Sequence, residues 1–389
     1  MKNFFGLLQR EFRLFWKNKV LRLLFIGAPV LYGVLLGYVY SKGKVTDLPV
    51  IVVDEDQSDL SRKAIQMFED NEVLNVSRLL FDQNNIGVYA IEDEAACVVL
   101  IPRGFEKKVF TKKHPEVTTI VNTSSVLTAN YASTAIQLCL GTMKAGIQIE
   151  TLKKQGVPER IAMTQYEPFQ TTFIKKYNRS TNYMYFLWPG VLATVLQQVL
   201  LLGLALSFAA EYENGTFRVL LQRCPSTLKL ILVKVLPYLL MSIGIWGLYM
   251  LFAWWFRMPL KENMVSLTLI TGIFTASVSF IGILFSVLIP SQLKATEVLM
   301  VVATPSFILS GFTWPLSQMP VWVQAIANCI PLTHYLKVLR VLIVENGSVS
   351  QTTGPIWAMV LIGGVCGIGA FIALSIKGRK VMEAEERPA

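Results

Sequence analysis

The residues of this chain that could carry chemistry are few and widely spaced. Two histidines among 389 residues argue against a histidine metal site or a Ser-His-Asp triad. The sequence also lacks a Gly-rich phosphate loop, a Cys-x-x-Cys pair and a His-Glu-x-x-His motif. It therefore predicts no enzyme active site, no metal site and no cofactor bound by this chain.

One acidic cluster could bind a cation. It follows an apolar β-branched run and comprises Asp54, Glu55, Asp56 and Asp59. Such a cluster is more often a solvated turn leading into a helix, and Ser58 stands where an N-cap would. We favour the turn and leave the cation site as the alternative.

The cysteines leave a second question open. Five cysteines are too few for a disulfide scaffold. Cys97 and Cys139 could pair in an oxidising compartment or remain two buried thiols, because each stands on an apolar face.

The composition is that of a membrane protein. Hydrophobic residues make up 53% of the chain and charged residues 16%, whereas soluble domains average about 45–50% and about 25%. The net charge of +10 also allows a nucleic-acid partner. The two hypotheses differ in where they expect the charge to lie.

Six stretches are long and apolar enough to cross a bilayer, which takes about 20 residues. They run over 20–40, 185–210, 234–256, 265–289, 296–314 and 355–376. The first is too long for a signal-peptide core and is expected to be a retained anchor. A further stretch, 321–344, is interrupted by polar residues. We interpret it as re-entrant or interfacial and leave a seventh full span open.

The basic surplus is a topology signal. Residues 41–184 hold 17 Lys+Arg and 17 Asp+Glu, so the whole +10 lies elsewhere. One side of the spans would carry Lys2, Arg10, Arg13, Lys17, Lys19, Arg22, Arg218, Arg223, Lys229, Lys234, Lys294, Lys377, Arg379, Lys380 and Arg387. The short connections on the other side carry only Arg257, Lys261, Lys337 and Arg340. This asymmetry predicts cytoplasmic termini and an external 41–184 region, and it leaves no basic face for nucleic acid.

The expected fold is an α-helical polytopic membrane protein with six transmembrane helices, a re-entrant segment and an inserted α/β extracytoplasmic domain. The expected segments are an interfacial helix (1–19), a first span (20–40), the α/β domain (41–184), a five-helix region (185–376) and a cytoplasmic tail (377–389). In the domain we predict strands at 49–53, 95–101 and 117–121, and helices at 58–69, 104–111 and 126–154.

The N-terminal segment has helical spacing of apolar residues. Phe4, Leu8, Phe12 and Phe15 alternate with basic residues. This pattern is typical of an amphipathic helix in the membrane interface. An ordinary basic flank that only sets the topology is the alternative.

The connection between the second and third stretches carries the most distinctive pattern. It reads Glu211-Tyr-Glu213-Asn-Gly215-Thr216-Phe-Arg218-Val-Leu-Leu-Gln-Arg223-Cys-Pro225-Ser226, and Lys234 follows at the expected start of the next span. We predict a short amphipathic helix that Thr216 caps and Pro225 ends, and we expect Ser226 to cap the next helix. Its inward face is expected to comprise Val219, Leu220 and Leu221.

Two further patterns accompany this connection. One is Leu309-Ser310-Gly311-Phe312-Thr-Trp-Pro315-Leu-Ser-Gln-Met319-Pro320-x-Trp322-x-Gln324, which continues into Pro331-Leu332-Thr333-His334-Tyr335 and Arg340. The other is Val52-Val53-Asp54-x-Asp56-x-Ser58-x-x-Ser61-Arg62, followed later by Tyr177-Asn178 and Phe186-Leu187-x-Pro189-Gly190. In this order the patterns resemble type-2 ABC exporter permeases of the branch with a large extracytoplasmic domain. The chain departs from that family at Val233, often Gly, and at Arg179, usually Pro.

The resemblance implies a half-transporter. Its partners would be a second permease copy, in a homodimer or a heterodimer, membrane lipid, and cytoplasmic ABC ATPase subunits that bind the ATP and Mg²⁺. The external domain would gate the path or dock a periplasmic adaptor and an outer-membrane channel. The coupling segment, 211–228, would use Glu211, Glu213, Gly215, Thr216, Arg218, Arg223, Pro225 and Lys234. A charged loop that only sets topology is the alternative.

Sparse polar residues inside the spans are a second set of candidates. Those that could line a substrate path are Gln197, Gln198, Thr304, Ser306 and Ser310. Such residues more often hold helices together. The re-entrant segment, 315–345, and the loop before it would form an outer gate with Gly311, Pro315, Met319, Pro320, Pro331, His334 and Arg340. We favour a packing role for His334.

The favoured function is the permease subunit of an ATP-driven exporter in the bacterial inner membrane, with a drug, a lipid or a polysaccharide-like molecule as substrate. The alternative is a membrane-anchored receptor whose external domain recognises a ligand or partner. A secondary transporter would be expected to show mid-membrane charges and repeat halves, and neither is clear in the sequence.

Overall fold

The structure is a computed structural model that describes residues 2–166, 174–259 and 264–386. It divides into two compact units, one of Met1–Gly43 with Lys175–Ala389 and one of Lys44–Ile174. Lys261 and Arg387, which entered the charge comparison, lie outside the described residues.

The N-terminal segment forms the expected helix, α1 (Lys2–Lys17). The Asn18 side chain then accepts hydrogen bonds from the backbone N–H groups of Val20 (2.9 Å) and Leu21 (3.3 Å), which starts a new helix. That helix comprises α2 (Lys19–Arg22), a π-helical turn (Leu23–Gly27) and α3 (Ala28–Val39). The buried face of α1 contains Leu7, Glu11 and Phe15, so an acid occupies a position that the apolar pattern did not predict.

The Lys44–Ile174 unit is a four-stranded sheet with helices packed on it. Its strands are β1 (Leu48–Asp54), β2 (Leu74–Leu80), β3 (Cys97–Ile101) and β4 (Thr118–Val121), in the order β2-β1-β3-β4. The first three are parallel, and β4 pairs antiparallel with β3. Its helices are α4 (Asp59–Glu69), α5 (Ile86–Glu92), α6 (Phe105–Phe110), α7 (Val126–Lys154) and α8 (Glu159–Gln165).

All three predicted strands and all three predicted helices of this unit are present. The prediction missed β2, α5 and α8. Strand β2 is an edge strand in which Asn75, Ser77 and Arg78 interrupt the apolar residues, so its sequence has no apolar run like that of the central strands β1 and β3.

The acidic cluster after β1 fastens two helices. Asp54 accepts hydrogen bonds from the backbone N–H of Gln57 (3.0 Å) and from the hydroxyl of Ser61 (2.7 Å). Ser58 is the N-cap of α4, as predicted. It also forms a capping box with Ser61. Asp56 accepts from the backbone N–H groups of Phe105 (3.0 Å) and Glu106 (2.9 Å) at the start of α6. These carboxylates therefore act as caps that join β1 to α4 and α6.

We expect the cap at α6 to make stability depend on pH. Partial burial alone would raise the pKa of Asp56, but hydrogen bonds, led by that from the Glu106 backbone, hold it below the ordinary 3.8. A lowered pKa stabilises the fold above pH 3.8, and this stabilisation is lost as the pH falls through the lowered pKa. Asp56→Asn should lower the unfolding temperature at pH 7, and the difference from wild type should shrink below pH 3.8. The exposed Asp59→Asn is the control, and a pH-independent difference would contradict the assignment.

The two cysteines of this unit are separate thiols in the structure. Burial raises the pKa of the Cys97 thiol to about 12 and also raises that of Cys139. Cys139 contacts the Met67 carbonyl oxygen (3.4 Å) and accepts from the Asn71 amide (3.6 Å). Both side chains therefore serve the apolar core between the sheet and α7.

The unit that contains the N-terminal helices continues from Lys175 onward, and this second part of it is mainly helical in the described residues. Its helices are α9 (Tyr183–Glu213), α10 (Phe217–Arg223), α11 (Thr227–Trp255), α12 (Met264–Leu288), α13 (Gln292–Ala303), α14 (Ser306–Leu309), α15 (Val321–Asn328), α16 (Pro331–Leu339) and α17 (Thr353–Glu386). Short 3₁₀ turns lie at Leu316–Gln318 and Val349–Thr352, and a π-helical turn continues α16 over Arg340–Val344.

Six of the described helical segments are long and apolar enough to span a membrane. They are Lys19–Val39, Tyr183–Glu213, Thr227–Trp255, Met264–Leu288, Gln292–Leu309 and Val349–Glu383. A seventh candidate is a pair of helices, Val321–Asn328 and Pro331–Val344, which bends by 84° between its two halves. The multi-span prediction is therefore confirmed at the level of helix number.

Several helices extend beyond the apolar windows. Helix α11 begins at Thr227, so Lys234 lies about two turns inside it and not at its start. Helix α17 continues to Glu386 and includes most of the segment predicted as a tail. In both places the backbone stays helical where charged residues end the apolar run.

Candidate functional site

The connection between α9 and α10 is a tight turn at Gly215. Gly215 has a φ of +66°, its N–H donates to the Tyr212 carbonyl (3.2 Å), and the Thr216 N–H donates to the Glu211 carbonyl (3.0 Å). This pair of hydrogen bonds is the Schellman motif, which ends a helix with a left-handed residue. Because of this turn, only three residues separate the end of α9 from the start of α10.

Helix α10 is amphipathic. Its buried side consists of Phe217, Leu220 and Leu221. Val219 is 46% exposed, so the expectation that it packs inward was wrong; at 100° per residue it lies away from the other three. The solvent side is formed by Arg218, Val219, Gln222 and Arg223.

The predicted helix caps differ from the structure. Thr216 is at the N-cap position of α10, but its hydroxyl donates to a carboxylate oxygen of Glu211 and does not cap α10. Ser226 precedes α11, and its side chain makes no capping hydrogen bond either. Pro225 follows α10, as predicted for a helix stop.

Four charged side chains from three helices meet beside this turn. Lys234 Nζ of α11 lies 2.7 Å from Glu211 Oε1 of α9 and 2.9 Å from Glu11 Oε2 of α1. Arg10 of α1 contacts Glu211 through two nitrogens (2.8 and 3.1 Å) and also Glu11 (2.7 Å). We call Arg10, Glu11, Glu211 and Lys234 the ionic network.

Three of the four members of the ionic network are buried, and the Arg10 side chain is 30% exposed. Lys234 is 2% exposed, Glu211 3% and Glu11 7%. Two positive and two negative charges balance, and each carboxylate has two cationic partners. Removal of a single member would leave a charge buried without compensation, which strongly destabilises a fold. The network therefore fixes α1, α9 and α11 to one another.

This network changes the interpretation of three predicted residues. Glu211 and Lys234 are too buried to contact a soluble partner, although the pattern around them led to the site. Arg10 entered the sequence analysis only as a topology charge, and Glu11 was missed. A usable signal was present, since Glu11 is the only acid in the first 46 residues and is four residues from both Leu7 and Phe15.

Glu213 has a different role from Glu211. It is exposed, and its carboxylate accepts from the backbone N–H of Gln292 (2.8 Å) and from the same residue's side-chain amide. It thereby satisfies an N–H at the start of α13 and joins that helix to the end of α9.

The predicted path residues do not form one lining. Gln197 is buried and donates to the hydroxyl of Ser306 (2.9 Å), which connects α9 to α14. Ser310 is also buried and donates to the Phe307 carbonyl (2.6 Å). Gln198 is half-buried and Thr304 is exposed. Gln197 and Ser306 thus make the contact between helices that the alternative expected, whereas the hydrogen bond of Ser310 stays within its own turn.

The predicted gate residues surround the bent helix pair. Pro315 precedes a 3₁₀ turn, Met319 ends it, Pro320 precedes α15 and Pro331 is the first residue of α16. Arg340 donates to the Phe312 carbonyl (2.8 Å), and its guanidinium lies 5.1 Å from the Phe312 ring centre. His334 is buried with Nε2 2.9 Å from the Asn328 carbonyl oxygen, which fits the packing role. Gly311, with a φ of +77°, turns the chain before Phe312.

A family model described as "ABC-2 family transporter protein" matches residues 19–372. The chain belongs to the ABC-2 transporter family. It is therefore a multi-pass membrane protein and an ABC transporter permease rather than an enzyme, and the ATPase of such a transporter is on a separate subunit.

Similar proteins cover nearly the whole ABC-2 chain. The "Probable multidrug ABC transporter permease YbhR" of Escherichia coli K12 is 23% identical over 363 residues, 91% of this chain and 92% of the relative. The "Linearmycin resistance permease protein LnrN" of Bacillus subtilis 168 is 21% identical, over 99% of this chain and 100% of the relative. The "Inner membrane transport permease YhhJ" of Escherichia coli K12 is 20% identical, over 84% and 86%.

The turn before α10 of this permease gives a direct prediction. A Cβ at Gly215 would meet no atom within 4 Å, so only the positive φ restricts the residue. Gly215→Val should destabilise the protein by about 1–2 kcal/mol, because a β-branched residue is strained in that region. Gly215→Asn should be nearly neutral, since Asn tolerates it. Thermal unfolding in detergent measures the difference, and equal unfolding temperatures for the two variants would contradict it.

Proposed function

We propose that this permease is the membrane subunit of an ATP-driven exporter in the bacterial inner membrane, and that separate cytoplasmic ATPase subunits hydrolyse the ATP and hold its Mg²⁺. The observation that carries the proposal is α10, a short amphipathic helix between two long apolar helices, whose exposed side is basic. Its buried side and the ionic network attach it to the span bundle.

The ATPase docks on the exposed side of α10, where Gln222 and Arg223 are accessible. Movement of α10 reaches α9 through the Gly215 turn and the hydrogen bond from Thr216 to Glu211. Lys234 then passes the displacement to α11 and to α1, because it binds Glu211 and Glu11 together. In this proposal Glu211 and Lys234 transmit force and do not touch the ATPase.

The remaining assignments rest on the charge asymmetry of the sequence and on membership of the ABC-2 family. Both termini and α10 are cytoplasmic, and the Lys44–Ile174 unit is outside the membrane. The bent pair of α15 and α16 is a re-entrant outer gate, and a second permease copy completes the path. An adaptor and an outer-membrane channel are further partners of the external unit.

The substrate we propose is a drug-like molecule. Two of the similar proteins carry "multidrug" and "linearmycin resistance" in their names. Their similarity extends over more than 90% of this chain, so it includes both units. These names favour a drug over a polysaccharide-like substrate.

Reconstitution tests the proposal against the receptor alternative. The permease is expected to purify from its native host with an ATPase subunit, and proteoliposomes of the complex should transport an amphiphilic dye such as Hoechst 33342 only with ATP and Mg²⁺. The control is a complex whose ATPase subunit has the lysine of its phosphate loop changed to alanine. Stable, ligand-responsive protein with no ATPase partner would favour a receptor and overturn the proposal.

A further inference from the structure

Two open grooves follow helix α7 in the Lys44–Ile174 unit, at the edge of α6. Their volumes are about 690 and 640 Å³. They share four lining residues, Val109, Lys112, Met143 and Ile147, and therefore form one continuous trough. We call it the α7 trough. The volume of each groove is within the range of about 300–1,000 Å³ that is usual for binding sites of small organic ligands.

The floor of the α7 trough is apolar. It is formed by Leu60 and Met67 of α4, Val109 of α6, and Met143 and Ile147 of α7. Phe110 stands at its edge and is 60% exposed. This floor can therefore receive a chain or ring that leaves water.

The rim of the trough is basic. It carries Lys63, Lys112, Lys144, Lys153 and Lys154, against Glu116, Glu150 and Glu159. Lys153 is balanced by Glu150 (3.7 Å) and Glu159 (3.6 Å). In the described part of the chain, Lys63, Lys112, Lys144 and Lys154 form no salt bridge, and Lys154 Nζ lies 5.6 Å from the Phe110 ring centre.

This local charge opposes that of the unit around it. Residues 44–174 carry 13 Lys+Arg and 17 Asp+Glu, yet five of the thirteen bases line the α7 trough. A cleft elsewhere in the unit carries Asp47, Glu69, Asp70 and Glu72. The basic charge is therefore gathered over an apolar surface, where it favours a negative ligand.

We propose that the α7 trough binds an anionic amphiphile, with its acidic head group between Lys112 and Lys154 and its apolar part on Val109, Met143 and Ile147. A free inorganic anion would leave the apolar floor in water, and a neutral apolar molecule would gain nothing from the lysines. The two properties of the trough together select a ligand that has both. This assignment is independent of the ATPase-docking proposal.

A pair of fluorescent probes separates these contributions. 8-Anilinonaphthalene-1-sulfonate is an anionic amphiphile, and N-phenyl-1-naphthylamine has the same rings without the sulfonate. Each is titrated into the full-length permease in phosphatidylcholine nanodiscs. Lys112→Glu/Lys154→Glu is the test variant. Lys175→Glu/Lys176→Glu, a pair of exposed lysines outside the trough, is the matched control.

The test variant should weaken saturable binding of the sulfonate probe about tenfold, because two attractions become repulsions. The control variant and the neutral probe should change by less than about twofold, and added salt should weaken sulfonate binding to wild type. Equal sulfonate binding by both variants would overturn the proposal. An equal loss of neutral-probe binding in the test variant would also overturn the proposal, since the two substitutions would then act through the fold and not through their charge.

Discussion

Replacement of Lys234 by methionine is expected to lower the free energy of unfolding of this permease by about 3–5 kcal/mol. Methionine has a similar length and suits the apolar surroundings, so the loss comes from charge and not from volume. Without Lys234, the buried carboxylates of Glu11 and Glu211 face one positive charge, that of the partly exposed Arg10. One negative charge is then buried without compensation.

Thermal unfolding in detergent measures this effect. The matched control is Lys229→Met on the same helix, where the side chain is exposed and the change should be within about 0.5 kcal/mol. The double variant Lys234→Met/Glu11→Gln restores the charge balance and should recover part of the loss. Strictly additive effects of the two substitutions would contradict the network, because residues in one network couple.

The second large effect is expected from Arg223→Glu at the end of α10. Arg223 is exposed, so its reversal should leave the unfolding temperature nearly unchanged. The same change reverses the charge of the proposed docking surface and should reduce the amount of ATPase that copurifies at least tenfold. The physical reason is that charges at the rim of an interface strongly change the rate at which the two partners associate.

Copurification at two salt concentrations measures this reduction. Arg103→Glu makes the same change of charge at an exposed position in the other unit and serves as the control. The wild-type complex should weaken as the salt concentration rises. Equal ATPase recovery with Arg223→Glu and Arg103→Glu would remove α10 from the docking surface.

Local sequence patterns predicted most of the helices and strands. The predictions succeeded where the structure of a segment depends on residues that are close to one another in sequence. The N-cap at Ser58 and the long helix α7 depend on neighbours in sequence, and both are present. Strand β2 was missed because its pairing with β1, not an apolar run, makes it a strand. The ends of α11 and α17 were misjudged because apolar windows stop at charges.

The centre of the site could be predicted only in part. The pattern around Gly215 marked the right turn, and the positive φ there is what the glycine provides. The partner of Lys234 across the bundle could not be inferred, since Glu11 lies 223 positions earlier in the chain. The burial of Lys234 could not be inferred either, because the sequence places this lysine at the start of a span, whereas the structure makes it an internal connection between α1, α9 and α11.

The central claim is that α10 is the surface on which an ATPase acts. A photo-crosslinking amino acid at Gln222, which is exposed on α10, tests it most directly in native membranes. We expect a crosslink to a protein that carries a nucleotide-binding phosphate loop, with a yield that changes when ATP and vanadate are added. The same crosslinker at exposed Lys175 should give no such product. Absence of that crosslink from Gln222 while the protein still exports substrate would contradict the account.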